Sequence, residues 1–350
     1  MKQFLPLKNL TLLVATFLIF FLICELALRL SGFYPVNSEC QPVIYSSHLG
    51  WVLKPDYQCQ WDSLEWSVAY QTNALGFRDD HHELGKQTGK KRIVVLGDSM
   101  AEGWGVEQDQ MWQSLLQDKL GAQYEIINCA VRGYDLIQEY RQFQEVGILY
   151  EPDLVIQFLC ENDFPDGRLN ITPEWIGYKP RFSLIDDRLV FSQEGPEPVL
   201  LVKHDTPAVA VKRLLKKSVF LLWLKKRYTL LQPKLTSLFT FGRKSMPSAV
   251  PHIDDYEREY VQATEVIYKD FSRLARDHHF TMIVVWQAYV PVPVGLKQIL
   301  ENSDIAVLEI NLAPEARFRF DPHANKTGHQ QIADIVHAFL QDQRVIQAMP

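Results

Sequence analysis

The amino-acid sequence predicts an α/β domain built on a parallel sheet, with a membrane anchor in front of it. Five short runs rich in β-branched residues alternate with helical patterns, which is the order of strand–helix–strand units that cover both faces of a sheet. An uncharged, almost wholly apolar segment stands close to the N-terminus. The length of 350 residues and the 47% share of hydrophobic residues suit one large globular domain with additions.

The segment Leu10–Cys24 predicts a membrane-spanning helix. It carries no charge, but at about 1.5 Å per residue it falls short of a hydrocarbon core of roughly 30 Å. The continuation to Leu30 completes the span if Glu25 and Arg29 reach the headgroups. Because these two residues are spaced i, i+4, their side chains can also pair. We therefore expect residues 1–32 to hold a short cytoplasmic tip and the anchor.

A cleaved signal peptide is the alternative to an anchor, but the residues after Cys24 offer no small-x-small cleavage site. Lys2 and Lys8 precede the span, whereas Arg29 is the one basic residue close behind it. Basic residues stay on the cytoplasmic side of a membrane. The sequence thus predicts a single-pass protein with a cytoplasmic N-terminus and an extracytoplasmic domain, periplasmic in a Gram-negative cell.

Charge and cysteine content narrow the class of protein. The net charge of −6 argues against a protein that coats nucleic acid, because phosphate neutralisation needs a basic face. Cys40 and Cys59 lie in the polar region after the anchor and form the candidate disulfide, which would contribute about 3 kcal/mol. Cys24 falls in the anchor, and Cys129 and Cys160 fall in apolar runs where buried thiols are expected.

The region 33–90 is rich in turn residues and aromatic side chains, which predicts an irregular or short-stranded extension before the main domain at 91–345. Five predicted strands then follow. Each is nearly continuous in apolar character, as expected when both faces of a parallel sheet are covered. The strands are Arg92–Leu96, Tyr124–Ala130, Asp153–Leu159, Phe280–Trp286 and Ala306–Leu312.

Helical patterns separate these strands. The first places Trp112, Leu115, Leu116 and Leu120 on one face. The others run over residues 136–144, 256–278 and 328–341.

The gap between the third and fourth strands is too long for a simple crossover and predicts an inserted helical cap over residues 164–253. Within it, residues 211–228 fit a basic amphipathic helix. Such a helix could bind an anionic membrane surface. The alternative, which we favour, is a helix that packs its apolar face on the domain and leaves its basic residues in water. The basic side carries Lys212, Arg213, Lys216 and Lys217.

The tripeptide Gly97-Asp98-Ser99 follows the first predicted strand. This position places Ser99 at the carboxyl end of the sheet, where open α/β folds assemble their sites. Gly97 permits a sharp exit from the strand, and the N–H groups of the next turn could face an anion beside Ser99. Alone, the tripeptide favours a helix cap, because Ser and Asp are the commonest capping residues.

Partners for a serine nucleophile follow the other strands. Gly133 follows the second strand, Asn162 the third, and Asp321 and His323 the fifth, directly before a helix. A nucleophilic serine needs a base, an acid that orients the base, and donors for the oxyanion. Residues two apart in an extended segment point the same way, so Asp321 could hold the ring of His323. The rival base, His329, falls where the helix has begun and is expected to be structural.

With these motifs in this order, the sequence resembles the SGNH hydrolases, also called GDSL esterases and lipases. The Gly97-Asp98-Ser99 block corresponds to the nucleophile motif of that family, Gly133 and Asn162 to its oxyanion residues, and His323 to its catalytic histidine. The resemblance spans residues 73–341 outside the cap. The stretch "NALGFRD" and the anchor are similar to a membrane-anchored branch of the family. The resemblance implies a three-layer, flavodoxin-like fold with a five-stranded parallel sheet.

Two positions depart from the family pattern. The acid of the family lies three residues before the histidine, where this chain has Phe320, whereas Asp321 lies two before it. Cys160 replaces the glycine of a glycine-x-asparagine-aspartate motif and leaves Asn162 in place.

The resemblance implies an esterase with a Ser-His-Asp mechanism. Ser99, Asp321 and His323 would be catalytic, and Ser99, Gly133 and Asn162 would form the oxyanion hole. An acylated glycan or lipid of the cell envelope is the expected substrate. An O-acyltransferase acting on an envelope polysaccharide is one alternative. A non-catalytic envelope-binding or assembly protein is the other, and the shift of Asp321 is the one feature that favours it.

The sequence predicts no metal and no cofactor. Its histidines, cysteines and carboxylates lack the spacing of zinc or calcium sites. The loop around Ser99 also lacks the lysine and the spacing of a nucleotide-binding loop.

Overall fold

A computed structural model of the chain describes the N-terminal helix, the extension and the sheet, and a smaller part of the predicted cap. The described residues are 7–36, 40–160, 163, 179, 182–186, 188–191, 215, 217–228, 253–287, 290–343 and 345.

The N-terminal helix α1 (Leu7–Leu30) has the length and composition that the sequence predicts for a membrane span. Its segment Lys8–Leu30 has a mean hydropathy of 2.5 and is the one such helix among the described residues. Glu25 and Arg29 form the expected i, i+4 ion pair, with 2.7 Å between the carboxylate oxygen and the guanidinium nitrogen. The helix is thus apolar enough to cross a membrane, by length and composition.

The extension after α1 forms two short pairs of strands, as in the short-stranded form that the sequence allows, and the first pair is antiparallel. Strand β1 (Val43–Ser46) pairs with β2 (Gly50–Leu53), and β3 (Gln58–Asp62) pairs with β4 (Ser67–Gln71). Both cysteines of the candidate disulfide, Cys40 and Cys59, are disulfide-bonded, whereas Cys24, Cys129 and Cys160 are free thiols.

The predicted five-stranded parallel sheet is confirmed. Its strands and those of a separate hairpin in the cap are named in chain order: β5 (Lys91–Gly97), β6 (Tyr124–Asn128), β7 (Leu154–Leu159), the hairpin β8 (Phe182–Ile185) and β9 (Arg188–Phe191), β10 (Thr281–Gln287) and β11 (Ala306–Ile310). The sheet order is β11-β10-β7-β5-β6, and all neighbours are parallel. In order of appearance this is the 2-1-3-4-5 arrangement of flavodoxin-like folds.

Helices cover both faces of the sheet. They are α2 (Ser99–Glu102), α3 (Trp112–Leu120), α4 (Leu136–Glu145), α5 (Ile253–His278), α6 (Val294–Asn302) and α7 (Lys326–Asp342).

The side chains of β5 alternate between two apolar cores. Val94 and Leu96 pack in one core with residues of α4, α5 and α6, and Ile93 and Val95 pack in the other with residues of α3 and α7. This alternation produces the three layers. The sequence pattern did not predict α6, because this short helix buries only three apolar residues, Leu296, Ile299 and Leu300.

The chain divides into two compact units. The first consists of Met1–Cys40, Gln60–Val68 and Leu201–Ser248, and the second of Gln41–Cys59, Ala69–Leu200 and Ala249–Pro350. The five-stranded sheet and the candidate catalytic residues belong to the second unit. In the predicted cap, the β8–β9 hairpin belongs to the second unit, and residues 219–228 form a helix in the first. Lys212, Arg213 and Lys216 of the predicted basic helix lie outside the described residues.

Candidate active site

The candidate site lies where the strand order of the sheet reverses. Strand β5 lies between β6 and β7; the chain leaves β5 toward β6 on one side and leaves β7 toward β10 on the other. Open α/β sheets form a crevice at the carboxyl ends of two such strands. Ser99 directly follows β5 and Asp163 follows β7, so the fold brings both strand ends to this crevice.

A sharp turn presents Ser99 at the end of β5. Gly97 has a φ of +155°, and a Cβ at this position would lie 2.7 Å from the Cβ of Ala101 and 2.9 Å from the carbonyl oxygen of Phe158. A side chain there is excluded by space as well as by backbone conformation. Asp98 caps the turn, because its Oδ1 accepts a hydrogen bond from the N–H of Met100 at 2.8 Å. The capping role thus falls to Asp98, and the hydroxyl of Ser99 remains available.

Ser99, His323 and Asp321 form a hydrogen-bonded chain. The Oγ of Ser99 lies 2.7 Å from the Nε2 of His323, whereas it lies 3.4 Å from the Oδ2 of Asp98. The Nδ1 of His323 contacts the Oδ1 of Asp321. A carboxylate only accepts, so Nδ1 carries the ring proton and Nε2 is the acceptor that faces Ser99. The three residues are largely buried, with Ser99 8% exposed.

A bend, rather than the extended segment expected from the sequence, brings Asp321 to His323. The Oδ1 of Asp321 also accepts the backbone N–H of His323 at 3.1 Å. One carboxylate oxygen of Asp321 thus accepts from both the backbone and the ring of His323. These two hydrogen bonds let a carboxylate two residues before the histidine reach its ring. Asp321 therefore occupies the place of an orienting acid despite its shift in the sequence.

The loop that carries His323 is fixed on both sides. The carbonyl oxygen of His323 accepts the N–H of Phe318 at 3.1 Å, and Ala324 forms an antiparallel bridge with Arg317. Asn325 then caps α7, because its Oδ1 accepts the N–H of Gly328 at 3.1 Å. Helix α7 thus begins three residues after His323, at Lys326, and its cap holds the loop that carries the imidazole.

A tryptophan stacks on the imidazole. The ring of Trp104 lies 4.8 Å from that of His323, centroid to centroid, with 18° between the planes. The guanidinium of Arg132 lies 4.9 Å from the Trp104 ring centroid and 5.0 Å from that of Tyr70. Arg132 in turn pairs with the buried carboxylate of Glu102 through its Nε, at 2.9 Å from Oε1. His323 therefore rests on an aromatic ring that is itself in contact with a buried ion pair.

The electrostatics of this ion pair follow from mutual stabilisation. Burial alone would raise the pKa of Glu102, but the charge and hydrogen bonds of Arg132 and the hydroxyl of Tyr70 outweigh burial and lower it. Burial alone would lower the pKa of Arg132, but Glu102 raises it. Both groups are held in their charged forms.

The second buried cluster at the crevice contains three acids, Asp98, Asp163 and Glu139, and the thiol of Cys160. A carboxylate oxygen of Asp98, the Sγ of Cys160 and a carboxylate oxygen of Asp163 lie within 4.8 Å of one another. The Oδ2 of Asp163 accepts the N–H of Cys160 at 2.7 Å, and the Sγ of Cys160 donates to the Oδ2 of Asp98 at 3.3 Å. The cysteine that replaces the family's glycine thus connects the ends of β7 and β5.

Burial and neighbouring carboxylates shift the titration of this cluster. Burial, Asp98 and Glu139 raise the pKa of Asp163 well above its ordinary value. Burial raises the pKa of Glu139 strongly as well, against the hydrogen bond that its Oε2 accepts from Gln157 at 2.8 Å. Both acids therefore favour their protonated forms.

The two predicted oxyanion donors beyond Ser99 are Gly133 and Asn162. Gly133 has a φ of +76° in the loop after β6. This loop begins beside the end of β5, because Val131 donates its N–H to the carbonyl of Gly97 at 3.0 Å. Trp51 braces the loop, with its Nε1 donating to the carbonyl of Arg132 at 2.9 Å. Asn162 lies outside the described residues.

The rival base, His329, is hydrogen-bonded to the backbone of α3. Its Nδ1 accepts the backbone N–H of Trp112 at 3.1 Å. Burial, and after it the charges of Arg78 and His323, lower the pKa of His329 to about 3. A neutral, buried ring that accepts from the backbone is structural, as the sequence predicts.

Sequence reasoning missed four residues around the site: Trp51, Arg78, Trp104 and Arg132. Arg78 donates to the carbonyls of Gly103 and Val106 and so fixes the loop after Ser99. Weak signals were available, since Arg78 lies in "NALGFRD" and Trp104 lies five residues after Ser99. Their contacts with distant residues are tertiary, and no local pattern reveals them.

Part of this chain resembles a known protein family in sequence. Residues 95–197 match the model of the GDSL-like lipase/acylhydrolase family. No curated protein matches the chain.

Solved structures with a similar course of the chain include two from bacteria. A lipolytic protein of the G-D-S-L family from Desulfitobacterium hafniense is 13% identical, with 71% of this chain and 99% of that chain covered and a TM-score of 0.38. A psychrotrophic esterase from Pseudoalteromonas is 14% identical, with 73% and 98% covered and a TM-score of 0.40.

Proposed function

We propose that this protein, which carries a domain of the GDSL-like lipase/acylhydrolase family, is a serine hydrolase that cleaves acyl esters. The observation that carries the proposal is the 2.7 Å contact between the Oγ of Ser99 and the Nε2 of His323. Asp321 on the other ring nitrogen supports it, because this contact fixes the tautomer that can accept a proton from the serine.

The proposed reaction proceeds through a covalent acyl-enzyme. As the Oγ of Ser99 bonds to the ester carbonyl carbon, its proton passes to the Nε2 of His323. The imidazolium then gives that proton to the leaving alcohol oxygen as the ester C–O bond breaks. Water repeats the sequence in reverse: its proton goes to His323, its oxygen bonds to the acyl carbon, and Ser99 leaves with the proton. Asp321 stays ionised and stabilises the imidazolium.

The carbonyl oxygen becomes negative in both steps and needs donors. We assign this role to the backbone N–H of Ser99, the backbone N–H of Gly133 and the side chain of Asn162. The position of the 131–133 loop beside Gly97 supports the assignment of Gly133. Removal of one such donor typically reduces kcat by about 100- to 1000-fold.

The proposed location is the outer face of the cytoplasmic membrane. Helix α1 supports an anchor by its length and hydropathy, and the basic residues before it favour a cytoplasmic N-terminus. An enzyme held there meets acylated glycans and lipids of the cell envelope, which are the substrates we propose.

Turnover of a small ester by the full chain in detergent tests the proposal. We expect release of p-nitrophenol from p-nitrophenyl acetate, and no release above the uncatalysed rate in Ser99→Ala. Ser114→Ala is the matched control, since Ser114 lies in α3 and donates to the carbonyl of Gln108. Equal turnover in Ser99→Ala and in the control, with both proteins folded by circular dichroism, would remove Ser99 from the mechanism.

A further inference from the structure

Helix α1 carries a carboxylate well inside its apolar span. Glu25 lies five residues before the end of α1 at Leu30, which is about 7.5 Å along the axis at a rise of about 1.5 Å per residue. A carboxylate in that part of a membrane helix is costly unless it has partners. The position of Glu25 therefore raises the question of what satisfies it.

Residues 217–220 satisfy Glu25 together with Arg29. The Oε2 of Glu25 accepts the hydroxyl of Ser218 and the N–H of Phe220, both at 2.9 Å. Its Oε1 accepts the N–H of Val219 at 3.1 Å. Arg29, which pairs with Glu25, also donates to the carbonyl of Lys217 at 3.0 Å.

The same contacts complete the start of the helix over residues 219–228. The first N–H groups of a helix have no partner within the helix, and here Val219 and Phe220 donate theirs to Glu25. Leu221 donates its N–H to the hydroxyl of Ser218 at 3.2 Å. A negative charge at a helix N-terminus is favourable as well. The 219–228 helix thus begins on α1, and each helix satisfies a polar group of the other.

An aromatic cluster extends this contact toward the middle of α1. The ring of Phe220 lies 5.6 Å from that of Phe21 and 6.3 Å from that of Phe20, edge to face. These partners precede Glu25 by four and five residues, and so lie about 6 to 7.5 Å deeper in the span. The side chain of Phe220 therefore lies beside a part of α1 that an anchor would place in hydrocarbon.

The 219–228 helix has the composition of a segment in contact with lipid. Residues 219–224 are apolar at every position, Val-Phe-Leu-Leu-Trp-Leu, so no face of these turns is polar. Such a helix is surrounded by protein or by a membrane. Yet Leu224 is 42% exposed, as are the outward side chains of α1 such as Ile19. Among the described residues, the protein covers Val219 at the start of this run but leaves Leu224 at its end exposed.

The end of this helix has the composition of a membrane interface. Three basic residues, Lys225, Lys226 and Arg227, follow the apolar run. The guanidinium of Arg227 lies 5.1 Å from the ring centroid of Trp223. Tryptophan and basic side chains are typical of the headgroup level.

We propose that residues 218–228 form a second membrane element, a short helix that docks on α1 through Glu25 and inserts its apolar turns into the outer leaflet. Its partner is the lipid bilayer, acyl chains along residues 219–224 and headgroups along residues 225–228. The inference rests on the proposed anchoring by α1. It revises the favoured sequence interpretation of this region, in which the apolar face packs on the domain.

Spin labels on the full chain in vesicles test this placement. The chain is reconstituted in phosphatidylethanolamine vesicles with a minority of phosphatidylglycerol, in a Cys24→Ala background that retains the buried Cys129 and Cys160. Nitroxides are attached to Leu224→Cys, to Ile19→Cys in α1, and to Leu84→Cys as a control of matched exposure in the second unit. Collision with oxygen reports lipid, and collision with a water-soluble nickel chelate reports water.

We expect the labels at residues 224 and 19 to collide with oxygen and to lose collision with the nickel chelate, and the label at residue 84 to do the opposite. Nickel access at residue 224 equal to that at residue 84, with residue 19 protected, would overturn the second element and leave the anchor standing. Nickel access at residue 19 would overturn the anchor and this inference with it.

A substitution of Glu25 tests the docking contact separately. In Glu25→Ala, the start of the 219–228 helix loses three hydrogen bonds, and we expect the label at residue 224 to gain mobility. The control is Glu83→Ala, a 77% exposed side chain in the second unit, which should leave the label unchanged. An unchanged label in both variants would contradict docking through Glu25.

Discussion

Two buried clusters stand beside Ser99, and they differ in charge. Glu102 pairs with Arg132, so a negative and a positive group leave water together. Asp163 and Glu139 instead lie among other acids, and burial keeps them protonated. The first cluster supports the ring of Trp104 behind His323, and the second connects the ends of β5 and β7. The comparison indicates that a buried acid is held either by a counter-charge or by a proton, with opposite dependence on pH.

The largest effect is expected from breaking the ion pair. Arg132→Met would leave the carboxylate of Glu102 buried without its counter-charge, which typically costs about 3 to 5 kcal/mol in the free energy of unfolding. Chemical denaturation measures the loss.

Arg273→Met is the control for this prediction. Arg273 pairs with Asp270 and Asp277 at the surface and is 53% exposed, and such pairs contribute at most about 1 kcal/mol. A loss in Arg132→Met no larger than in Arg273→Met would show that Glu102 is not held by its charge partner.

The pH dependence of stability should separate the two clusters by sign. The native pKa of Glu139 is raised, so the native state binds a proton that the unfolded chain releases above about pH 4.3. The free energy of unfolding therefore falls as pH rises from the unfolded pKa of about 4.3 to the native pKa of Glu139, by up to about 1.4 kcal/mol per pH unit for one proton. Relative to the wild type, Glu139→Gln should gain stability as pH rises.

Glu102 should behave in the opposite way, because its native pKa is lowered. Its contribution is present above the unfolded pKa of about 4.3 and is lost as pH falls through the native value. Relative to Glu102→Gln, the wild type should lose its advantage on acidification. Denaturation at a series of pH values measures both differences, and slopes of the same sign would contradict the distinction between the clusters.

A smaller effect is expected at the ring between the ion pair and the imidazole. The ring of Trp104 stacks on His323, so we expect it to act as a positioning residue, and an aromatic contact contributes about 0.5 to 1.5 kcal/mol. Trp104→Ala should therefore lower kcat by about 3- to 10-fold and move the acidic limb of the pH–rate profile. Trp104→Phe, which keeps a stacked ring, should restore most of both. A fall in kcat with an unmoved pH profile in Trp104→Ala would assign the tryptophan a purely structural role.

The smallest effect is expected at Cys160. Its thiol donates a weak hydrogen bond to Asp98, so Cys160→Ala should cost about 1 kcal/mol or less in the free energy of unfolding. Cys160→Ser, which keeps a donor, should cost less than Cys160→Ala. The reverse order would indicate that the sulfur contributes by packing.

Local sequence predicted the sheet, because its strands are mostly apolar runs. It also predicted that Ser99 and His323 come close to each other, since they follow β5 and β11 of the same parallel sheet, and the structure places their side chains 2.7 Å apart. The position of Asp321 was also predicted, although the bend that delivers it was not, since the bend depends on a hydrogen bond to the backbone of His323.

The supporting contacts could not be predicted, because they join distant parts of the chain. Arg132 meets Trp104 and Glu102 across about thirty residues, and Trp51 reaches the 132–133 loop from the extension. Glu25 is another example. The sequence predicted that it flanks the apolar span and reaches the headgroups, whereas its partners at residues 218–220 lie more than 190 residues further along the chain. These groups come into contact only when the chain folds, so no local pattern in the sequence indicates their pairing.

The most direct test of the proposed chemistry is the rate at which a fluorophosphonate labels Ser99 in the wild type and in His323→Gln. A glutamine cannot accept the serine proton, so labelling of Ser99, located by peptide mass spectrometry, should slow by about three orders of magnitude or more. An equal rate of labelling at Ser99 in the two folded proteins would contradict a serine activated by His323.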